Sequence, residues 1–367
     1  MNGRLAGLSA YALHVPLERP LPLANQTITA RDYVIAEAVD EDGRVGRAIG
    51  YSRGAPVHAV IRQMIAPSWQ THDLATYPDL YDATVSRNAM QGSHGIFWRA
   101  LSLADCAVHD LMAMRAGVPL SRYLGASPAP VKTTLAGCYP VANETPATLA
   151  ALMTRMAEYR ASGVKVTGSG HLARDTERLR LCRAALPAGV PLIIDLYNAA
   201  PPTRELAAIA STWAELGMGW LEDPYGFDEL QELAALAQRL PYPVGVGDEQ
   251  AGLAHFRNLI DFGRIGVVRL DATACGGVTG FLRIAAMATG RGLPVSCHVF
   301  HHLHAHLAAA VPGTAVEYML PETGVDAIDR LLDEDLEWDE GRLVPSSRPG
   351  VGYVWNEPSL RRFRQPE

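Results

Sequence analysis

Five ionisable side chains each close a short apolar run and recur at near-constant intervals. They are Asp195, Glu222, Asp248, Asp271 and His298, spaced by 27, 26, 23 and 27 residues. The runs read Pro191-Leu-Ile-Ile-Asp195, Gly219-Trp-Leu-Glu222, Val244-Gly-Val-Gly-Asp248, Val267-Val-Arg-Leu-Asp271 and Pro294-Val-Ser-Cys-His298. A step of this length holds a strand of about five residues, a helix of about twelve and two loops. The rhythm predicts a parallel barrel or sheet with a functional group at the C-terminal tip of each successive strand. In barrels that tip is where active sites are built.

The rest of the chain fits that frame. Candidate strands at 131–138, 164–167, 191–197, 219–222, 243–248, 266–271, 294–298 and 315–319 alternate with helical patterns such as Arg204 to Leu216 and Phe227 to Leu240. Eight strands in such alternation imply a closed parallel barrel. The first 60 residues read as strands, with Asp40-Glu-Asp-Gly43 as a hairpin turn between Tyr33–Val39 and Val45–Tyr51. Residues 56–117 turn helical, keeping a period near 3.6 from Ala100 to Ala116 and stopping at Gly117-Val-Pro119. An antiparallel unit followed by helices makes a compact α+β domain ahead of the barrel.

Composition removes several functions. A net charge of −7 without a basic run argues against nucleic acid as a partner. No window approaches the roughly 20 apolar residues of a membrane helix, and no basic start with an apolar core marks a signal peptide. Cys106, Cys138, Cys182, Cys275 and Cys297 are odd in number and scattered, as in a reduced cytoplasmic protein.

Three carboxylates converging at strand ends repel one another unless a cation neutralises them. Asp195, Glu222 and Asp248 supply oxygen only, which favours a hard ion, Mg²⁺. Glu222-Asp223 and Asp248-Glu249 each offer two acids, so the ligand choice stays open by one residue. Asp271 beside His298 would fix the imidazole tautomer, and such a His near a metal-bound carbonyl serves as a general base. Glu317, on the eighth strand, is a candidate general acid or donor to the substrate. Lys165 and Thr167 share one strand face by period 2, so both can point inward. In the run His298 to His306, His302 and His306 are spaced like a helical metal pair. The Glu that would follow the first His of a metalloprotease helix is absent, and the later histidines read as helix surface or pocket rim. Gly276-Gly277 opens a helix and eases close packing, with weak support for a phosphate cradle.

These residues resemble the enolase superfamily, in its mandelate racemase-like branch (the mandelate racemase/muconate lactonizing enzyme family). The resemblance covers essentially the whole chain. It is carried by Ala100-Leu-Ser-Leu-Ala-Asp105 through Asp110-Leu, Gly117-Val-Pro-Leu120, Tyr123-Leu-Gly125, Glu222-Asp-Pro224 and Gly247-Asp248. Leu270-Asp271 through Gly276-Gly277-Val-Thr279, Ser296-Cys-His298-Val-Phe300, Ala305-His-Leu307, Glu317 and Pro349-Gly-Val-Gly352 complete it.

The resemblance implies an α/β fold: a modified TIM barrel, (β/α)7β, with an N-terminal α+β capping domain. The division would be 1–128 for the cap, 129–322 for the barrel and 323–367 for a segment packing back on the cap. Loops near 19–30 and 51–56 would cover the substrate. One Mg²⁺, with Mn²⁺ as a substitute, would grip a small carboxylate substrate while His298, oriented by Asp271, removes the α-proton to give an enediolate. Homo-oligomers are frequent in this family.

The family's second-strand Lys-x-Lys is Lys165-Val-Thr167 here. Thr cannot act as a base near neutral pH, so two-base racemisation loses its second partner. Dehydration of a hydroxy acid or acid sugar is favoured, because one His can take the α-proton and then protonate a departing β-hydroxyl. The alternatives are a racemase or epimerase using Glu249 or Lys165 on the second face, and a non-catalytic member that binds metal and carboxylate. Asp271, where the muconate-lactonizing branch has Lys, argues against that branch. The family's Asn two residues past the first ligand is Tyr197, with Asn198 adjacent. Arg19, Asn25, Tyr51, Arg53, His94 and Trp98 are candidate capping contacts, and Arg53 could pair with a distal carboxylate.

Overall fold

The computed structural model describes residues 3–23, 26–92 and 94–366. Strands β1 (Leu5–Pro22), β2 (Thr27–Asp40) and β3 (Val45–Tyr51) form an antiparallel sheet in that order. The β2–β3 hairpin turns at Asp40 to Gly43 as expected, with Val39 opposite Val45 and Tyr33 opposite Tyr51. The Asp40 carboxylate fixes the turn by accepting from the backbone N–H of Asp42 and of Arg44, at 2.9 and 2.8 Å. β1 is longer than the sequence pattern conveys. Prolines at 16, 20 and 22 interrupt it, and its register against β2 shifts between Pro16 and Leu21.

The helix Ile96–Arg115 is buried on nearly every side. It lies between the antiparallel sheet and the barrel helix Gly277–Gly290, so no face is left for water.

The barrel strands are β4 (Val131–Cys138), β5 (Gly163–Thr167), β6 (Leu192–Asp195), β7 (Met218–Glu222), β8 (Val244–Val246), β9 (Val267–Leu270), β10 (Val295–Cys297) and β11 (Ala315–Met319). They pair in chain order, all parallel, and β11 pairs with β4 to close the ring. A helix follows each of the first seven strands, which is the expected (β/α)7β plan. The helix expected over Arg204 to Leu216 divides into an α-helix, Thr203–Ala210, and a 3-10 turn, Ser211–Leu216. The one expected from Phe227 to Leu240 is confined to Leu230–Ala237.

After β11 the chain doubles back. Arg342–Leu343 adds antiparallel to β4, and the helix Glu357–Phe363 lies against β1, where Leu13 bridges Arg364. Among the described residues, no helix is long and apolar enough to cross a membrane.

Gly276-Gly277 is explained by packing. Asp105, fully buried in the helix Ile96–Arg115, accepts from the Thr279 backbone N–H (3.0 Å), the Thr279 hydroxyl (2.7 Å) and the Tyr77 hydroxyl (2.8 Å). An internal carboxylate thus caps the N-terminus of Gly277–Gly290, in the place a phosphate cradle would need. A Cβ on Gly277 would lie 2.2 Å from Asp105 Oδ2, at a φ of +76°. Gly277→Ala is therefore expected to destabilise the fold by roughly 2 kcal/mol or more in urea unfolding.

Candidate active site at the barrel mouth

Strand alternation aims every second side chain into the barrel, and the inward set at the C-terminal end is charged. Asp195 ends β6, Glu222 ends β7, and Asp248 lies two residues beyond β8. All three are buried, with Glu222 fully so. Lys165 of β5 sits among them: its Nζ is 2.9 Å from Glu222 Oε1, 3.4 Å from Asp195 Oδ2 and 3.0 Å from Glu317 Oε2.

Arg269 of β9, two residues before Asp271 and therefore on the same strand face, completes the cluster. Its guanidinium lies 3.1 Å from Glu222 Oε1, pairs with Glu317, and donates to the Cys297 carbonyl at 2.6 Å. Sequence reasoning passed over Arg269, although a charge in the middle of the run Val267-Val-Arg-Leu-Asp271 was the available signal.

Anionic groups outnumber these two cations. Burial, reinforced by Glu222 and Asp248, pushes the Asp195 carboxyl up to about 7 against the pull of Lys165. Burial and then Asp248, Asp195 and Glu222 push Asp223 well above the carboxylate range. For Lys165 burial opposes the charge, but Glu222, Glu317 and Asp195 outweigh it and hold the ammonium well above the usual lysine value. Glu222 stays low because Arg269 and Lys165 overcome its burial.

Surplus buried carboxylates with oxygen-only donors fit a hard divalent cation. The oxygens of Asp195, Glu222 and Asp248 are not drawn into a tight set, however. Among the described residues only His301, His302 and Asp335 hold three ligand atoms within 4.8 Å of one another.

The neighbouring acids separate clearly. Glu249 accepts from Arg53 at 2.5 and 3.2 Å and pairs with Arg99, which keeps its carboxylate ionised despite burial. Asp248 instead faces His298, whose Nε2 is 3.6 Å from Asp248 Oδ2. The other ring nitrogen, Nδ1, is 3.0 Å from Asp271 Oδ2. Nδ1 is thus the donor, and Nε2 is left as the acceptor toward the site. Burial lowers the affinity of His298 for a proton, yet Asp248 and then Asp271 raise it above the usual histidine value.

Glu317 differs from its expected role. It is buried beside Lys165 and Arg269, which outweigh its desolvation and hold it down at about 2. In this arrangement it is an acceptor with no proton to donate.

The turn after His298 is built under strain. Val299 and Phe300 adopt φ of 48° and 38°, and Tyr197, Asn198 and Asp223 at neighbouring strand ends adopt 53°, 56° and 40°. Non-glycine residues held this way cost about 1–3 kcal/mol each and cluster at functional sites. His304 anchors the turn: Nδ1 lies 2.6 Å from the Val299 carbonyl, and Nε2 accepts from the Ala272 backbone N–H at 2.9 Å. His306 receives the Ser121 N–H at 3.1 Å and lies 3.1 Å from the Val351 carbonyl. All four histidines of this helix are buried, which corrects the helix-surface half of their reading, while His301 and His302 line a cavity, in keeping with a pocket rim.

Above the mouth lies a cavity of about 540 Å³ bounded by the polar edge of β2 (Gln26 to Asp32), His14, Tyr51, Arg53, Tyr197, Asn198 and Glu249. Tyr51 sits between cap and barrel, its ring 6.4 Å from that of His298 and 4.9 Å from that of Phe300. Arg53 stacks over Tyr51 at 4.5 Å and spends its guanidinium on Glu249, so it is already paired with an internal carboxylate. Thr167 is buried on β5 opposite Asp195, on the Lys165 face.

The other capping candidates lie elsewhere. Arg19 is exposed on β1, His94 packs on Phe227 and His255, and the Trp98 indole donates to the Gly92 carbonyl. Asn25 falls outside the described residues. Gln26 to Ala30 fall within the covering stretch expected near 19–30, but from Thr27 on they form strand and not loop. His14, Arg31 and Asp32 were missed, although the alternation Thr27-Ile-Thr-Ala-Arg-Asp32 marks a strand with one polar face.

Known proteins agree with this architecture. The chain is 29% identical to an L-talarate/galactarate dehydratase of Salmonella typhimurium over 344 residues, 90% of this chain and 82% of the relative. It is 26% identical to an arabinonate dehydratase of Saccharolobus solfataricus over 341 residues, 91% of each. A solved L-talarate dehydratase from Polaromonas sp. JS666, complexed with Mg and L-glucarate, superposes with a TM-score of 0.88 at 25% identity, covering 99% of this chain and 98% of that one. The model of the family described as "Enolase C-terminal domain-like" matches residues 148–359, more than half of the chain, and the chain belongs to that family of the enolase superfamily.

Proposed function

We propose that this protein dehydrates a hydroxy acid or acid sugar through abstraction of its α-proton by His298. The observation that carries the reading is the Asp271–His298 pair, with Nε2 of the imidazole turned toward a buried cluster of surplus carboxylates. The acid-sugar dehydratases among its relatives support it.

Asp195, Glu222 and Asp248 would hold the Mg²⁺, with Asp248 preferred to Glu249 because two arginines already occupy Glu249. Bound there, the ion neutralises the substrate carboxylate and the charge that develops on it. Neutral His298 receives the α-proton at Nε2 while Asp271 stabilises the imidazolium. The imidazolium then protonates the β-hydroxyl, the Cβ–O bond breaks, water departs, and the enol becomes a 2-keto-3-deoxy acid. Lys165 neutralises the substrate anion, and Glu317 holds Lys165 and Arg269 in place. Thr167, Asn198, Tyr51 and Arg53 contact the substrate.

A racemase or epimerase reading needs a second proton carrier on the opposite face. Lys165 is locked among three carboxylates and Glu249 between two arginines, so neither is poised for that work. The intact dyad weighs against a non-catalytic binder. The same reading assigns the cap to 1–128, the barrel to 129–322 and the returning segment to 323–367, in a cytoplasmic homo-oligomer. Five buried, unbridged cysteines are in keeping with a reducing compartment.

Proton NMR in D₂O with Mg²⁺ over a panel of acid sugars tests this: loss of the α-proton signal with new 2-keto-3-deoxy resonances is expected. Exchange without elimination would sink the dehydratase reading. Thr167→Lys should add α-proton exchange or epimerisation; unchanged exchange and stereochemistry would mean that position 167 does not face the substrate.

A further inference from the structure

Outside the barrel mouth, a second cluster has ligand chemistry of a different kind. His301 and His302 open the helix His301–Ala310, and Asp335 comes from the returning C-terminal segment. Their ligand atoms lie within 4.8 Å of one another, with His301 Nε2 at 2.6 Å and His302 Nε2 at 3.7 Å from Asp335 Oδ1. Both imidazoles are buried and side by side, ring centroids 4.3 Å apart.

His302 is the informative member. Its Nδ1 is buried without a hydrogen-bond partner, and its Nε2 has a long 3.4 Å contact to the Glu334 carbonyl beside the 3.7 Å approach to Asp335. A buried imidazole satisfied so poorly is costly unless something else binds it. Tyr318 donates to Asp335 Oδ2 at 2.6 Å and orients that carboxylate as an outer-shell partner would. A cavity of about 230 Å³ opens beside the three groups and is rimmed by Asp329, Asp333 and Glu334, which favours entry of a cation and leaves room for water.

We propose that His301, His302 and Asp335 form a binding site for a late first-row divalent cation of the Zn²⁺ class. Two imidazoles and one carboxylate select such an ion over Mg²⁺, and the open position takes water. The site goes beyond the dehydratase reading and stands without it. Its consequence is positional. The ion would clamp the helix that starts directly after the strained Val299–Phe300 turn to the returning segment. Upstream in that segment, the Val325 carbonyl accepts from Arg31 at 3.0 Å, and Asp326 accepts from Tyr51 at 3.0 Å and from Tyr33. One cation would therefore tie the His298 turn to the contacts that seat the cap.

The test is Co²⁺ and Zn²⁺ titration of the full chain in saturating Mg²⁺, followed by visible absorption, calorimetry and thermal midpoint. The expected result is one tight equivalent with the intense absorption of four- or five-coordinate Co²⁺ and a Zn²⁺-dependent rise in midpoint. Asp335→Asn, which keeps the shape of the side chain and an acceptor for Tyr318, and His302→Asn should each weaken uptake about 100-fold or more. Asp248→Asn should leave uptake unchanged, which separates this site from the barrel mouth. No tight equivalent, uptake unaltered in both ligand variants, or uptake lost in Asp248→Asn would each overturn the proposal.

Discussion

His298→Asn is expected to lower turnover by at least about 10²–10⁴-fold, the range over which a positioned general base contributes, while Mg²⁺ binding survives. Asn keeps much of the shape and can still bond Asp271, but it cannot take a proton. The buried Asp271 keeps its contact from the Thr273 backbone N–H at 2.7 Å, so the strand end should not collapse. The wild-type pH profile carries the same signature. His298 works only when neutral, so kcat/KM should climb from the acid side through its pKa. Asp248 is the strongest influence raising that pKa once burial is set aside. A cation held on Asp248 cancels part of that attraction, so saturating Mg²⁺ should move the acid limb to lower pH. Activity within tenfold of wild type in His298→Asn, or an acid limb that ignores Mg²⁺, would remove His298 from the base role.

Much of this site could be read in the sequence because each barrel strand is a short apolar run stopped by a charge. Asp195, Glu222, Asp248, Asp271 and His298 all came from that rhythm, and the ring of strands followed. Arg269 could have been found, since period 2 from Asp271 puts it inside, but a cation within a buried run reads at first as a strand interruption. His304 and His306 misled for a different reason. Without the Glu of a metalloprotease pair at His302 and His306, a helix surface or a pocket rim is the reading that remains for them. Most of their partners are distant in sequence: Ala272 for His304 Nε2, and Ser121 and Val351 for His306. The cavity wall from Gln26 to Asp32 was legible only as a covering loop near 19–30, because an amphipathic strand does not disclose what its polar face covers. Capping guesses scattered for the same reason, with Tyr51 and Arg53 at the cavity and Arg19, His94 and Trp98 away from it.

Glu222→Gln and Asp195→Asn should both abolish Mg²⁺ binding, yet only the first should cost stability heavily. Glu222 is fully buried and ionised, and it shares two cations: Lys165 at 2.9 Å and Arg269 at 3.1 Å. It also accepts from the Trp220 indole at 3.1 Å. An amide in its place offers one acceptor and turns an NH₂ toward groups that only donate. Breaking a buried ion pair from one side costs about 3–5 kcal/mol, because the partner charge is left behind; Glu317 remains beside both cations, so the lower end is expected. Asp195 is poised differently. Its carboxyl is pushed up to about 7 because burial and its acidic neighbours oppose the charge, so as pH rises from the ordinary carboxylate range toward neutral its ionisation costs the ion-free protein stability. Asn at 195 should then not destabilise the ion-free protein and should, if anything, stabilise it at neutral pH, because it removes that unfavourable charge. Urea unfolding in EDTA, paired with Mg²⁺ calorimetry, reads both effects. Equal destabilisation by the two variants would mean that Lys165 leans on Asp195 as strongly as on Glu222. Retained Mg²⁺ binding in either would take that residue out of the ligand set.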